Sequence, residues 1–373
     1  MIWMAMFIPF ITIGLLLWKF SRKITPWEYG LILGVPLLAI LISKGCIETF
    51  QTSDDEYWGG HVLNSEYYES WDEKVSCRHP RYETYTDSNG NTHTRFVGYD
   101  HAYDVDWHQP YWVINTTIGA FHVPEDRFSR LVHKFGNKTF VDLHRRYYSK
   151  DGDKCVAVWK NDLETLEPVT TIHSYCNKVQ ASNSVFNFKE VNPKDFGLFE
   201  YPKVNSEYKQ RSIIGNGGAD HIQAETKLDY FNATLGNKKQ VRMFVLVFKN
   251  QPLQAAFDQE NYWKGGNKNE FITCIGVDDS LIIQWAHIFS WSEVEDLKID
   301  ARDQLEKDKP LELVKYVEWL GTNIEERFKR KSFTDFDYLS VDPPMGAIIF
   351  VYLLTIAICI GIGVWAVRNE LDM

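Results

Sequence analysis

The 373-residue chain carries 50 acidic against 40 basic residues, a formal net charge of −10 with histidine neutral. Its length allows two soluble domains of ordinary size, and the acidic balance offers no basic footprint, so no nucleic-acid partner is expected. A mean hydropathy of −0.30 reads as soluble only on average, because three charge-free apolar segments lie at the two ends of the chain.

These are "MIWMAMFIPFITIGLLLW" (1–18), "YGLILGVPLLAILIS" (29–43) and "GAIIFVYLLTIAICIGIGVWAV" (346–367). Each, with its flanks, approaches the roughly 17–25 residues needed to cross a hydrocarbon core. The first has no positive n-region and no small-residue cleavage site, so it is not a secretory signal. The expectation is a two-helix transmembrane hairpin over 1–48 and a C-terminal span over 343–368, with Trp18, Trp27 and Trp365 as interfacial anchors. The connector's Lys19, Arg22 and Lys23 belong in the cytoplasm, which leaves the large region between the second and third spans extracytoplasmic. The basic string "RFKRK" (327–331) runs against this, but charges in a long translocated region weigh less. An integral membrane protein with three spans is expected, with the lipid bilayer as its first partner.

Four of the six cysteines fall between the spans: Cys77, Cys155, Cys176 and Cys274. They allow two disulfides, with Cys155–Cys176 the first pairing to consider because both flank neighbouring strands, or equally four free thiols.

Residues 49–205 read as a β-rich, aromatic domain. "RYETYTDSNGNTHTRFV" places two alternating runs around Asn89-Gly90, the strongest hairpin signal in the chain. The DSNGN string lacks the glycine and glutamate positions of a calcium loop. Strands are expected over 111–118, 139–148 and 154–160, and "PEDRFSRLVHKFG" predicts a helix opened by Pro124 and stopped by Gly136. In "DHAYDVDWH" a strand puts Asp104, Asp106 and His108 on one face. Two carboxylates and an imidazole are a divalent-metal ligand set, and equally the wet side of an amphipathic strand. Seven histidines crowd residues 79–144, none paired at helical ligand spacing, so no cofactor is required.

From 206 to 335 the expected order is helix, strand, helix, strand, strand, helix, helix. "VRMFVLVF" and "FITCIGV" are unbroken apolar runs, as strands buried on both faces are. Ser292 with Glu295 suggests a capping box, and Leu313, Val317, Leu320, Ile324 and Phe328 form one stripe. Three buried strands between helices make an α/β sandwich, so the fold class is α+β: membrane helices, a β-rich domain and this sandwich.

That order, with "FVLVF" followed by "AAFDQENYWKGGNKNEFITCIGV", resembles the TPM domain. The resemblance covers about 110 residues, 219–330, and rests on topology and one loop. It implies an extracytoplasmic domain carried on membrane helices, either phosphatase-like and metal-binding or an assembly factor of membrane complexes. "AHIFSWSE" stands where the family has a glycine-rich, acid-terminated end, which puts inherited catalysis in doubt. The strings "KGGNKNEF…IGV" and "DSNGN" also resemble membrane proteins of bacteria and their large phages, a likeness that implies no function.

In the loop before the second buried strand, Lys264, Gly265, Gly266 and Lys268 are candidates for a backbone nest around an anion, or for a soluble strand mouth over Trp263. The chain has no P-loop, GxSxG or HExxH motif. The leading expectation is therefore a membrane-anchored assembly or interaction protein, a homo-oligomer or part of a membrane complex. The alternative is a membrane-tethered TPM-like phosphatase or other hydrolase using the 264–268 loop.

Overall fold

The computed structural model describes residues 2–20, 25–76, 79–100, 103–136, 139–143, 148–150, 152–158, 166–182, 188–202, 204, 211–307 and 310–369. It is a mixed α+β structure with three helices long and apolar enough to cross a membrane: Ile2–Phe20, Pro26–Thr52 and Met345–Arg368. The second opens on a capping box in which Glu28 accepts from the Thr25 backbone amide and the Thr25 hydroxyl caps the Glu28 amide, satisfying donors that a helix start leaves orphaned. The helices pack together through Ile2, Ala5, Ile40 and Val351. Their outer faces, with Phe10, Leu15, Leu38, Leu41, Phe350 and Leu353, are exposed and apolar.

The second helix passes without a loop into a 16-residue strand, Ser53–Tyr68. At about 3.3 Å per residue this strand is a spine roughly 50 Å long. Its first half pairs antiparallel with Pro168–Cys176, and its second half lies between Tyr111–Thr116 and Lys154–Val158. Gly119–Val123 and Thr139–Val141 complete the sheet. The helix Glu125–Phe135 ends at Gly136 in the left-handed region (φ 88°), where glycine carries no Cβ penalty. It lays Leu131 against Val62, Ile114 and Val123, and sets Phe128 and Val132 against Ala157. The sequence places Pro124 at the first helical position, whereas it is the residue before it.

The disulfide expectation needs correction. Cys155 lies opposite Tyr67 and Cys176 opposite Ser53 on the same long strand, 14 residues apart, and both are free thiols. A disulfide needs Cα atoms within about 7 Å. The two strands are neighbours of one spine but of its opposite ends.

The second region follows the expected order: helix His221–Lys239, strand Arg242–Lys249, helix Gln254–Tyr262, strands Glu270–Val277 and Ile283–Ser290, and helices Glu295–Lys307 and Leu313–Arg327. A short strand missed in the sequence, Ile213–Gly215, adds an edge. The sheet order is Ile213–Gly215, Arg242–Lys249, Glu270–Val277, Ile283–Ser290, parallel but for the last strand. Alternation decides the faces. Met243, Val245, Val247, Phe271 and Ile275 meet the helices beginning at His221, Glu295 and Leu313. Phe244, Leu246, Phe248, Ile272 and Cys274 meet the helix Gln254–Tyr262 and the segment bearing Val191, Leu198 and Tyr201. The α/β unit thus recruits chain from before residue 205. Ser292 and Glu295 form no capping box: the Ser292 hydroxyl accepts from Val294 N–H and donates to the Lys329 carbonyl, while Glu295 pairs with Lys298.

The two regions meet backbone to backbone. A Cβ on Gly236 would collide with the main chain of Gly59, and one on Gly59 with the Asn232 carbonyl. These two glycines let the helix His221–Lys239 cross the spine at the closest approach a polypeptide permits.

Candidate functional site

The loop 264–268 is the site the sequence singles out, and its left-handed run Lys264, Gly265, Gly266 (φ 51°, 80° and 75°) turns the chain back toward the sheet. Its amides are spent internally. Lys264 N–H donates to Asn261, Gly265 N–H to Glu260 and Gly266 N–H to Trp263 carbonyls. Asn267 N–H donates to the Glu270 carboxylate at 2.8 Å. The Lys264 side chain is exposed, but Lys268 turns inward. Its ammonium lies 3.4 Å from the carboxylate of Glu56 and 4.1 Å from the ring centre of Tyr175. Arg330 grips the same Glu56 through both oxygens at 3.0 and 3.1 Å. The anion held beside this loop is therefore the chain's own, supplied by the spine of the β-rich region. Burial lowers the Lys268 pKa, against the raising influence of Glu56.

Beneath the loop lies a buried polar layer that sequence reasoning missed. Glu270, the first residue of its strand, binds Tyr201 and the Asn267 side chain. Arg242, the first residue of the neighbouring strand, donates to the Ser212 hydroxyl at 3.2 Å, and Ser212 donates to Asp229 at 2.9 Å. Asn232 closes the layer on the Met243 backbone, accepting from its N–H and donating to its carbonyl. Burial pushes the Glu270 carboxyl up to about 7, although Tyr201, Asn267 and Arg242 all favour its ionised form. Burial and the Glu270 charge raise the Tyr201 hydroxyl. The available signal was a single charge opening each solid apolar run: Arg242 in "VRMFVLVF" and Glu270 in "NEFITCIGV". The layer joins the regions, since Tyr201 packs on Tyr57 of the spine (ring centres 5.6 Å apart) and Asn269 donates to the Tyr57 carbonyl.

The aspartate–histidine strand is real: Tyr103–His108 pairs with Trp71–Ser76. The structure does not gather its three polar side chains around one point. His108 binds Glu73 at 2.7 Å, while Asp104 faces His79 at 3.6 Å. Among the described residues, no three His, Cys, Asp or Glu side chains are placed to hold a metal ion.

What this strand belongs to is more informative. Trp71–Ser76 pairs with Tyr103–His108 in a register whose residue numbers always sum to 179. The same sum relates His79 to Asp100, which share a backbone hydrogen bond, and Pro80 to Tyr99 and Arg81 to Gly98 in the hairpin Pro80–Thr86 with Thr92–Tyr99. The hairpin Pro80–Thr86 with Thr92–Tyr99 forms an arm, bulged once between Arg81 and Tyr82 and closed by the Asn89-Gly90 turn. From Pro80 to Thr86 it measures roughly 23 Å. Tyr148–Lys150 pairs with the other side of Trp71–Ser76. Beyond Pro80 every described hairpin residue is exposed or nearly so. One face carries Tyr82, Phe96 and Tyr99, stacked edge to face. The other carries Arg81, Glu83 and Arg95, with Glu83 3.4 and 3.5 Å from the two guanidinium groups.

Compared with family models, with curated proteins and with solved structures, the chain matches none.

Proposed function

We propose that this is a membrane-anchored assembly protein. The three apolar helices span the bilayer, the 19–28 connector faces the cytoplasm, and the large region, with its TPM-like sandwich, is extracytoplasmic. The observation that carries this reading is the arm. A two-stranded ribbon is marginally stable in water by itself, and this one presents an aromatic face with Tyr82 59% and Phe96 51% exposed. Such a face is normal for a surface that another protein covers. Tethering by helices on both sides of the domain confines copies to one plane, where lateral association is favoured.

The loop 264–268 supports assembly better than hydrolysis, because its amides and Lys268 are already committed to the chain's own acceptors. The mass of the intact protein in mild detergent or nanodiscs tests the reading. A species several times the 43.5 kDa chain is the expected outcome, and a strict monomer across the accessible concentration range overturns it.

A further inference from the structure

The strand Ile283–Ser290 is the last in its sheet, and among the described residues no strand pairs with its outer edge. An edge strand turns a row of N–H and C=O groups outward, and these are complemented by another extended main chain. Here the edge lies at the bottom of a groove. Two hollows of about 450 and 320 Å3 adjoin along it and share Ile288, Glu295 and Lys298. The two walls differ in chemistry. The helix Gln254–Tyr262 and its start supply a mainly apolar wall, with Leu253 and Phe257 exposed beside Trp285 and Glu260 paired to His287 of the strand. The helix Glu295–Lys307 supplies a charged one, in the order Glu295, Lys298, Arg302, Glu306.

We infer that this groove receives the β arm of a second copy of the chain, which adds to the open edge as a further strand. This deepens the assembly reading and rests on it. Three features of the arm match the groove. The hairpin strands are 7 and 8 residues long against 8 for the groove strand. The arm's aromatic face, Tyr82, Phe96 and Tyr99, suits the apolar wall. Its opposite face presents Glu83 beside Arg81 on one strand and directly across from Arg95 on the other, while the charged wall presents the bases Lys298 and Arg302 between the acids Glu295 and Glu306. Docking sets Glu83 against Lys298 and Arg302, with Arg81 toward Glu295 or Glu306 according to the direction of the added strand. The groove and the arm are different surfaces, so the contact is head-to-tail and propagates into a ring or an open array.

Charge exchange in the full-length protein tests the contact. Glu83→Arg on the arm and the double variant Lys298→Glu, Arg302→Glu on the groove each change exposed or half-exposed side chains. Each is expected to weaken assembly at least tenfold, as read from the concentration at which the mass in nanodiscs falls. Combining all three substitutions in one chain is expected to restore assembly. Hydrogen exchange supplies the second readout: amides of Ile283–Ser290 should be protected in the wild-type assembly and released in either variant. A wild-type assembly indifferent to both exchanges overturns the arm-in-groove contact while leaving assembly standing. Sensitivity to the arm exchange alone, with no protection at 283–290, also overturns it and places the arm on another surface. A wild-type protein that never exceeds monomer mass overturns both readings.

Discussion

Two pairs of strands in this molecule have nearly the same length and opposite surroundings. In Arg242–Lys249 and Glu270–Val277 every residue but Lys249 is buried. In Pro80–Thr86 and Thr92–Tyr99 every residue is exposed except Gly98, which is half-buried. The first pair is held by two layers of helices and needs nothing further. The second has backbone pairing and aromatic contacts of its own and no cover. The contrast separates strands buried within the fold from strands left on its surface, and aromatic content alone does not distinguish them.

Replacing one phenylalanine in each pair gives the widest separation. Phe244→Ala empties a site between Tyr201 and Trp263 and is expected to cost about 3–5 kcal/mol. Phe96→Ala, on the arm, is expected to change folding stability by less than about 0.5 kcal/mol. Denaturant unfolding of the full chain followed by tryptophan fluorescence measures both. Similar losses at the two positions would mean that the arm is packed within a single copy, and the contrast would fail.

The fold was legible wherever local pattern and final environment agree. Unbroken apolar runs announced the sandwich strands, Asn89-Gly90 announced the hairpin, and charge-free segments announced the three apolar helices. Long-range relations were not legible. Nothing local to Gly59 or Gly236 says that their backbones touch, and nothing local to Cys155 and Cys176 says that their partners lie 14 residues apart on one long strand. Lys268 shows the same limit. A lysine among glycines reads as free to bind a ligand, yet its carboxylate partner lies 212 positions earlier, at Glu56. The register that Trp71–Ser76 with Tyr103–His108 shares with Pro80–Arg81 and Gly98–Tyr99 was equally illegible.

Glu56 offers the next sharpest test, because it supplies the ion pairs by which the β-rich spine holds the sandwich. Its side chain is 4% exposed, between Lys268 and Arg330. Removing one member of a buried ion network leaves the others uncompensated. Glu56→Ala is expected to cost about 3 kcal/mol and to loosen the joint between the regions, seen as faster hydrogen exchange at Ser53–Gly60 and Lys268–Glu270. Loss of less than about 1 kcal/mol would show that solvent screens the cluster and that the glycine crossing and the Tyr57 contacts hold the joint without it.

A pH-dependent effect should come from Glu270. Burial raises its carboxyl from the ordinary 4.5 to about 7, so between those values the folded chain keeps a proton that the unfolded chain has released. Stability linked to this group is therefore unaffected below about pH 4.5, falls as pH rises toward 7, and is level again above it. At about 1.4 kcal/mol per pKa unit, the loss across this window is on the order of 3–4 kcal/mol. Glu270→Gln keeps the shape and an acceptor for the Asn267 amide but cannot ionise. It should remove the slope and leave the variant more stable than wild type at pH 8, with little difference at pH 4.5. The apolar strands on either side make this carboxyl costly to charge, whereas the exposed Glu83 of the arm lies open to water. An unchanged slope in Glu270→Gln would show that the buried layer beneath the loop is wet enough to ionise freely.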